Sequence, residues 1–202
     1  MLPFLGAAAI ALGAIFVAEF GDKSQLLVLA FATRHSAMPV IVGIVVAAAL
    51  VQGVSVAIGA ALGAALPETL ITVVAGLAFL AVAGWTLWDR YDESEEAEMA
   101  ADARDEERRG RPWYALAAIV GATFLVGELG DKTMLATFAL AARQDPIATW
   151  VGATGGMVAA NLLAVVVGRQ LGARLSPRVI RIGSAVLFAV AGVLVLASAL
   201  RG

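Results

Sequence analysis

The chain has 202 residues, of which 61% are hydrophobic and 15% charged, and its mean hydropathy is +0.90. A soluble domain averages about 45–50% apolar and about 25% charged residues, so that class is excluded. With no cysteine there are no disulfides, thiolate metal sites or cysteine nucleophiles, and a formal net charge of −2 gives no basis for binding nucleic acid.

Crossing a hydrocarbon core of about 30 Å takes about 20 apolar residues, and six such runs follow one another at roughly 4–33, 40–66, 70–88, 113–142, 147–168 and 180–200. The first lacks a basic n-region and resumes beyond Lys23, so it is read as a retained transmembrane helix rather than a signal peptide. The second carries Gln52 and the spacing GAALG (59–63), and the third ends on Trp85 and Trp88. Residues 89–112 form the one long polar segment, with ten of the 16 acidic residues lying between Asp89 and Glu107. Charge without aliphatic residues predicts a solvated linker, with at most a short helix, rather than a packed domain; an acidic patch that gathers cations is the alternative. The fourth run opens on Trp113 and Tyr114, the fifth contains Asn161 and GRQLG (168–172), and the sixth closes the chain. Tryptophans and tyrosine at run ends read as interfacial anchors, the glycine spacings as packing seams, and His35 as a bystander at a helix end. The runs are continuous rather than alternating, which excludes a barrel. The expected fold is an all-α polytopic membrane protein of six transmembrane helices.

Basic residues set the orientation. Arg34, then Arg90, Arg104, Arg108, Arg109 and Arg111, then Arg169, Arg174, Arg178 and Arg181 follow runs one, three and five, whereas only Arg143 and Arg201 fall on the other side. The central loop is therefore expected in the cytoplasm and both termini outside, in a cell inner (cytoplasmic) membrane.

The chain repeats itself. An offset of 109 residues lays FVAEFGDKSQLLVLAFATR (16–34) on LVGELGDKTMLATFALAAR (125–143), and pairs Gly43 with Gly152, Gln52 with Asn161, Gly59 with Gly168 and Gly63 with Gly172. Three spans per copy force the second copy to enter the membrane from the opposite side. The expected organisation is a first three-helix repeat (1–88), a cytoplasmic linker (89–112) and a second, inverted repeat (113–202). Many secondary transporters are built this way, with polar sites near the midplane.

The polar content of the repeated stretch points to chemistry. On a continuous helix Glu19 and Asp22, and likewise Glu128 and Asp131, share a face three residues apart, with Gln25 and Met134 extending each stripe. Ionised groups in hydrocarbon are costly and usually line a bundle interior or wet cavity. Two inverted copies can bring four carboxylates together, and carboxylate oxygens suit hard divalent cations. Ser24, Thr133 and Gln25 can add neutral oxygens. Gly21 and Gly130 let backbone approach closely or the helix open locally. Four carboxylates with Lys23 and Lys132 sum to −2, which one divalent ion neutralises. Structural i,i+4 pairs, Glu19–Lys23 and Glu128–Lys132, are the plainer alternative, but they leave the added aspartate, glycine and hydroxyl of both copies unexplained. Gln52 and Asn161 read equally as interhelical glue or as support for the ligands, and Met134 as packing or as a soft donor favouring manganese over calcium.

These residues carry a resemblance. Two E-x-G-D-K-[ST] motifs, Glu19–Ser24 and Glu128–Thr133, opening the halves of a six-span chain resemble the cation/proton antiporters of uncharacterised protein family sixteen, which includes bacterial MneA-type manganese exporters and Golgi manganese/calcium transporters. The resemblance covers essentially the whole chain. It implies an inverted-repeat fold, a site built by both motifs, and exchange of a divalent cation, manganese before calcium, for protons; no resident cofactor is expected, and a homo-oligomer is compatible with it. In the bacterial members a glutamine often follows each motif; here Gln25 does so in the first copy, but Met134 stands in the second. A lipid-phosphate enzyme would want arginine or histidine beside the acids, yet every arginine lies at a run end or in a loop. An exporter of basic amino acids would also use buried acids, and the hydroxyls and amides favour a bare ion over it.

Overall fold

The computed structural model describes residues 1–19, 25, 28, 31–32, 37–88, 112–171 and 177–199. Seven helices lie among them: α1 (Leu2–Glu19), α2 (Ala37–Ala65), α3 (Glu68–Trp88), α4 (Trp113–Glu128), α5 (Lys132–Ala141), α6 (Pro146–Leu171) and α7 (Pro177–Ala199). All the regular structure among the described residues is helical. Without water to satisfy backbone groups, an apolar segment in hydrocarbon closes its hydrogen bonds within a helix. Proline marks several starts, where its missing N–H costs nothing: Pro146 and Pro177 each take the first helical position. Asp145 caps α6 by accepting the Ala148 amide at 2.7 Å.

Three helices are long and apolar enough to cross a membrane, over Leu2–Glu19, Ala37–Ala65 and Thr69–Trp88, and α4 with α5 makes a fourth span if the bent pair is counted as one. Ala185–Ala199 within α7 is a shorter apolar stretch. The side chains are distributed as lipid demands. Ile10, Val46, Leu50, Val54, Leu77 and Leu194 face outward, whereas Glu19, Gln52, Ser55, Glu128, Asp131, Lys132, Thr133, Thr137 and Asn161 are all buried. Polar groups inside and aliphatics outside are what a bundle in hydrocarbon requires. Trp88, Trp113 and Tyr114 stand well exposed where α3 ends and α4 begins. The linker 89–111 and His35 lie outside the described residues.

Packing crosses between the halves. α1 lies against α6 and α2 against α4, while α3 pairs with α7 and also with α5, and α2 touches both α5 and α6. The first two seams are closed by glycines at matching repeat positions. A Cβ on Gly43 would meet the Ala117 carbonyl at 2.6 Å and the Gly121 nitrogen at 2.9 Å, and one on Gly152 would strike the Ala8 carbonyl. Ala8 and Ala117 are themselves 109 residues apart, so the two contacts are one contact made twice. Small residues that let backbones touch are the usual means of helix association in lipid. The expected seam at 59–63 is present: a Cβ on Gly59 would meet the Phe138 carbonyl of α5 at 2.6 Å, and one on Gly63 the carbonyl of Ala142, just past the end of α5, at 2.5 Å. Its counterpart at 168–172 runs beyond α6 into residues outside the described set. Gly76 and Gly192 close the α3–α7 seam reciprocally.

Candidate metal centre

The second motif breaks its helix. α4 stops at Glu128, Leu129 is extended, Gly130 takes φ +83°, and α5 starts at Lys132 after an extended Asp131. The two helix axes meet at 77°. Glycine alone among the residues adopts that positive φ without a Cβ penalty. The Leu129 amide is the last to join the helical ladder, on the Leu125 carbonyl at 3.0 Å. The Gly130 amide turns instead to the Met134 sulfur at 3.0 Å, and the Asp131 amide to the Glu128 carbonyl at 3.2 Å.

Two expectations are corrected here. Glu128 and Asp131 do not share the face of a continuous helix, because α4 ends at Glu128 and α5 begins at Lys132. Met134 does not extend a ligand stripe on one helix: its sulfur reaches back one turn to cap the opened amide of Gly130. Of the two roles weighed for Gly130, opening the helix is the one seen.

The break brings acids together. Glu19, the last residue of α1, is fully buried, Glu128 is 1% exposed and Asp131 4%. One carboxylate oxygen from each lies within 4.8 Å of the others. Glu19 and Glu128 stand at the same repeat position, so the cluster draws on both halves. Lys132, the residue after Asp131, is buried too, and with it the three carboxylates sum to a formal −2. The N-terminal end of α5 directs its partial positive charge at this point, and carboxylate oxygens suit a hard divalent cation. Gly21, Asp22, Lys23 and Ser24 lie outside the described residues, so the fourth expected carboxylate is not placed.

The neutral residues separate into different tasks. Gln25, 8% exposed, donates its amide to the Ala160 carbonyl of α6 at 3.1 Å. The Gln52 oxygen accepts the Thr137 hydroxyl of α5 at 2.7 Å, and its amide points at the Met157 sulfur of α6 at 3.8 Å, so Gln52 acts as interhelical glue. Asn161 donates to the Met157 carbonyl one turn back at 2.9 Å. Its Oδ1 and the hydroxyl of Thr133 are buried with no hydrogen-bond partner among the described residues.

Three polar contacts escaped the sequence reading. Thr137 lies four residues after Thr133 and Ser55 three after Gln52, so helical spacing offered a signal for both; Ser55 bonds the Val51 carbonyl of its own helix at 2.7 Å. Trp150 donates its indole N–H across to the Ala49 carbonyl at 2.9 Å, and a lone tryptophan in an apolar run gives no hint of that.

A helical membrane bundle with buried carboxylates from both halves gathered at a helix break is the architecture of an ion-translocating transporter. Comparison with known proteins makes the class specific. The sequence model of the divalent cation/proton antiporter GDT1 family matches twice, at residues 7–94 and 115–202, and the chain belongs to that family. It is 31% identical over 183 residues to a Vibrio cholerae protein named "Putative manganese exporter", covering 89% of this chain and 85% of that one. It is 33% identical over 200 residues to Protein PAM71, chloroplastic, of Arabidopsis thaliana, covering 87% of this chain and 52% of that protein. GDT1-like protein 2, chloroplastic, of Oryza sativa is 30% identical, over 86% of this chain and 56% of its own length. The chain thus spans about half the length of these two plant relatives. No solved structure matches it.

Proposed function

We propose that this chain exports a divalent cation, manganese foremost, from the cytoplasm across the inner membrane in exchange for protons, using six spans arranged as two inverted repeats. The observation that carries this reading is the meeting of Glu19, Glu128 and Asp131 in one buried cluster at a broken helix. Glu19 and Asp131 hold the ion from opposite halves, Glu128 bridges them at the end of α4, and Asp22 is assigned as the fourth acid by its repeat equivalence to Asp131. Thr133 and Gln25 support the set, and Lys23 and Lys132 offset surplus charge. Carboxylates must be ionised to bind metal, and binding releases protons. The same groups therefore carry either the cation or protons, which couples the two flows without a separate proton site. The arginine-rich connections favour a cytoplasmic linker, and in that orientation an inward proton gradient drives the ion outward. The name of the Vibrio cholerae relative supports manganese.

The test is metal flux in proteoliposomes. Manganese movement is expected to follow an imposed pH gradient and to reverse when the gradient is reversed; flux indifferent to the gradient would refute the coupling.

Calcium is the second reading, since an all-oxygen cluster suits it equally. Met134 discriminates. Its thioether sits at the break and its repeat counterpart is Gln25, so Met134→Gln adds an amide oxygen where a sulfur stood. The variant is expected to raise calcium transport relative to manganese by several-fold. An unchanged ratio in competition assays would leave Met134 as a cap on Gly130 and nothing more.

A further inference from the structure

We infer that Asn161 supplies a neutral oxygen ligand to the transported cation, whereas its repeat counterpart Gln52 does not, so that the site is asymmetric. This rests on the reading of the acidic cluster as a cation site.

The α1–α6 seam fixes where Asn161 lies. Gly152 packs on Ala8 and Ala11, and one turn later Gly156 packs on Leu12 and Phe16, so the two helices run side by side in the same direction. Another turn brings residues 160 and 161 level with the end of α1, where Glu19 stands. Gln25, beyond the first motif, donates to the Ala160 carbonyl at 3.1 Å, so that segment also reaches this part of α6. At that level Asn161 is fully buried. The atom of its amide facing the Met157 carbonyl at 2.9 Å must be the nitrogen, because two oxygens would repel there. Oδ1 is then the free end of the group, buried and without a hydrogen-bond partner among the described residues. A polar atom buried in that condition costs free energy, and a hard cation held by the neighbouring carboxylates accepts amide oxygens readily.

Gln52 is the internal control. Its oxygen is already engaged by Thr137 at 2.7 Å, so the longer side chain braces α5 while the shorter one leaves its oxygen available. Repeat-related positions have taken different work.

Asn161 is the only asparagine in the chain, which allows a direct test. Wild-type protein carrying 13Cγ-asparagine is loaded with Mn2+, and 13C hyperfine coupling is measured by electron–nuclear double resonance. An isotropic coupling, which requires a Mn–O bond, is expected; purely dipolar coupling would overturn the assignment. In parallel, Asn161→Leu keeps the volume and removes the oxygen, and is expected to weaken Mn2+ binding to the purified protein at least ten-fold with little change in melting temperature. Binding within two-fold of wild type would likewise overturn it. If the leucine variant does not fold, the labelled wild-type protein decides alone. Glu128→Gln separates the two levels of the argument. Loss of Mn2+ binding in Glu128→Gln alongside a dipolar-only asparagine signal would remove Asn161 and keep the acidic site. Unaltered binding in Glu128→Gln would remove the site itself.

Discussion

Glu128→Gln is expected to reduce divalent-cation transport by more than about 100-fold while the protein still inserts and folds. Substituting outer-sphere partners of a metal commonly costs 10–100-fold in affinity, and an oxygen that touches the ion directly is worth more. The glutamine keeps the shape but lowers the cluster from a formal −2 to −1, and it sets an N–H₂ group beside an ion that needs oxygens. Folding is spared for the complementary reason: a neutral amide is cheaper to bury than a carboxylate, so thermal stability should hold or rise. Glu19→Gln and Asp131→Asn carry the same expectation, since one oxygen of each lies within 4.8 Å of the other two. Asp22→Asn extends it to the fourth acid. Measured side by side in proteoliposomes, near wild-type transport by any two of the four variants would sink the shared site. A drop in both transport and melting temperature would instead mark the acids as structural ion pairs.

The residues in that experiment were all legible in the sequence, because intramembrane charge is rare and a 109-residue duplication of it is rarer. The way they meet was less so. A reading from helical periodicity places Glu128 and Asp131 on one continuous face, and only the positive φ of Gly130 shows why the chain bends between them instead. A glycine in an apolar run serves equally for close packing or for opening the helix, and sequence alone does not choose. Gln52 shows the limit most clearly. Its burial follows from its polarity in an apolar helix, but its bond to Thr137 depends on which face of α2 meets α5, and a helix that is apolar all round does not announce its partner. Met134 was visible as the departure from repeat symmetry, yet its sulfur contact with the Gly130 amide exists only because the helix is broken. Duplication and chemistry are thus written locally, whereas the neighbours are set by packing across the halves.

Those cross-half contacts give the second large effect. Gly43→Val and Gly152→Val are each expected to prevent assembly of the native bundle. At Gly43 the first added carbon would already lie 2.6 Å from a backbone carbonyl and 2.9 Å from a backbone nitrogen, neither of which moves unless α4 moves. At Gly152 it would strike the Ala8 carbonyl and come within 3.0 Å of the Ala11 methyl. Overpacking a well-filled interior costs about 1–3 kcal/mol and occasionally more. Valine adds two further carbons at a point where backbones touch, so the upper end applies. Displacing α4 from α2, or α1 from α6, also displaces Glu128 or Glu19, so any variant that survives purification should bind Mn2+ weakly. Gly6→Ala and Gly13→Ala are the controls: nothing lies within 4 Å of the added carbon at either position, and alanine favours a helix over glycine by about 1 kcal/mol. Size-exclusion profiles and melting temperatures separate the two pairs. Because Gly43 and Gly152 make the same contact at equivalent positions of the two halves, their losses should be similar in size. Wild-type assembly in one valine variant with collapse in the other would show that the halves do not bear the bundle equally.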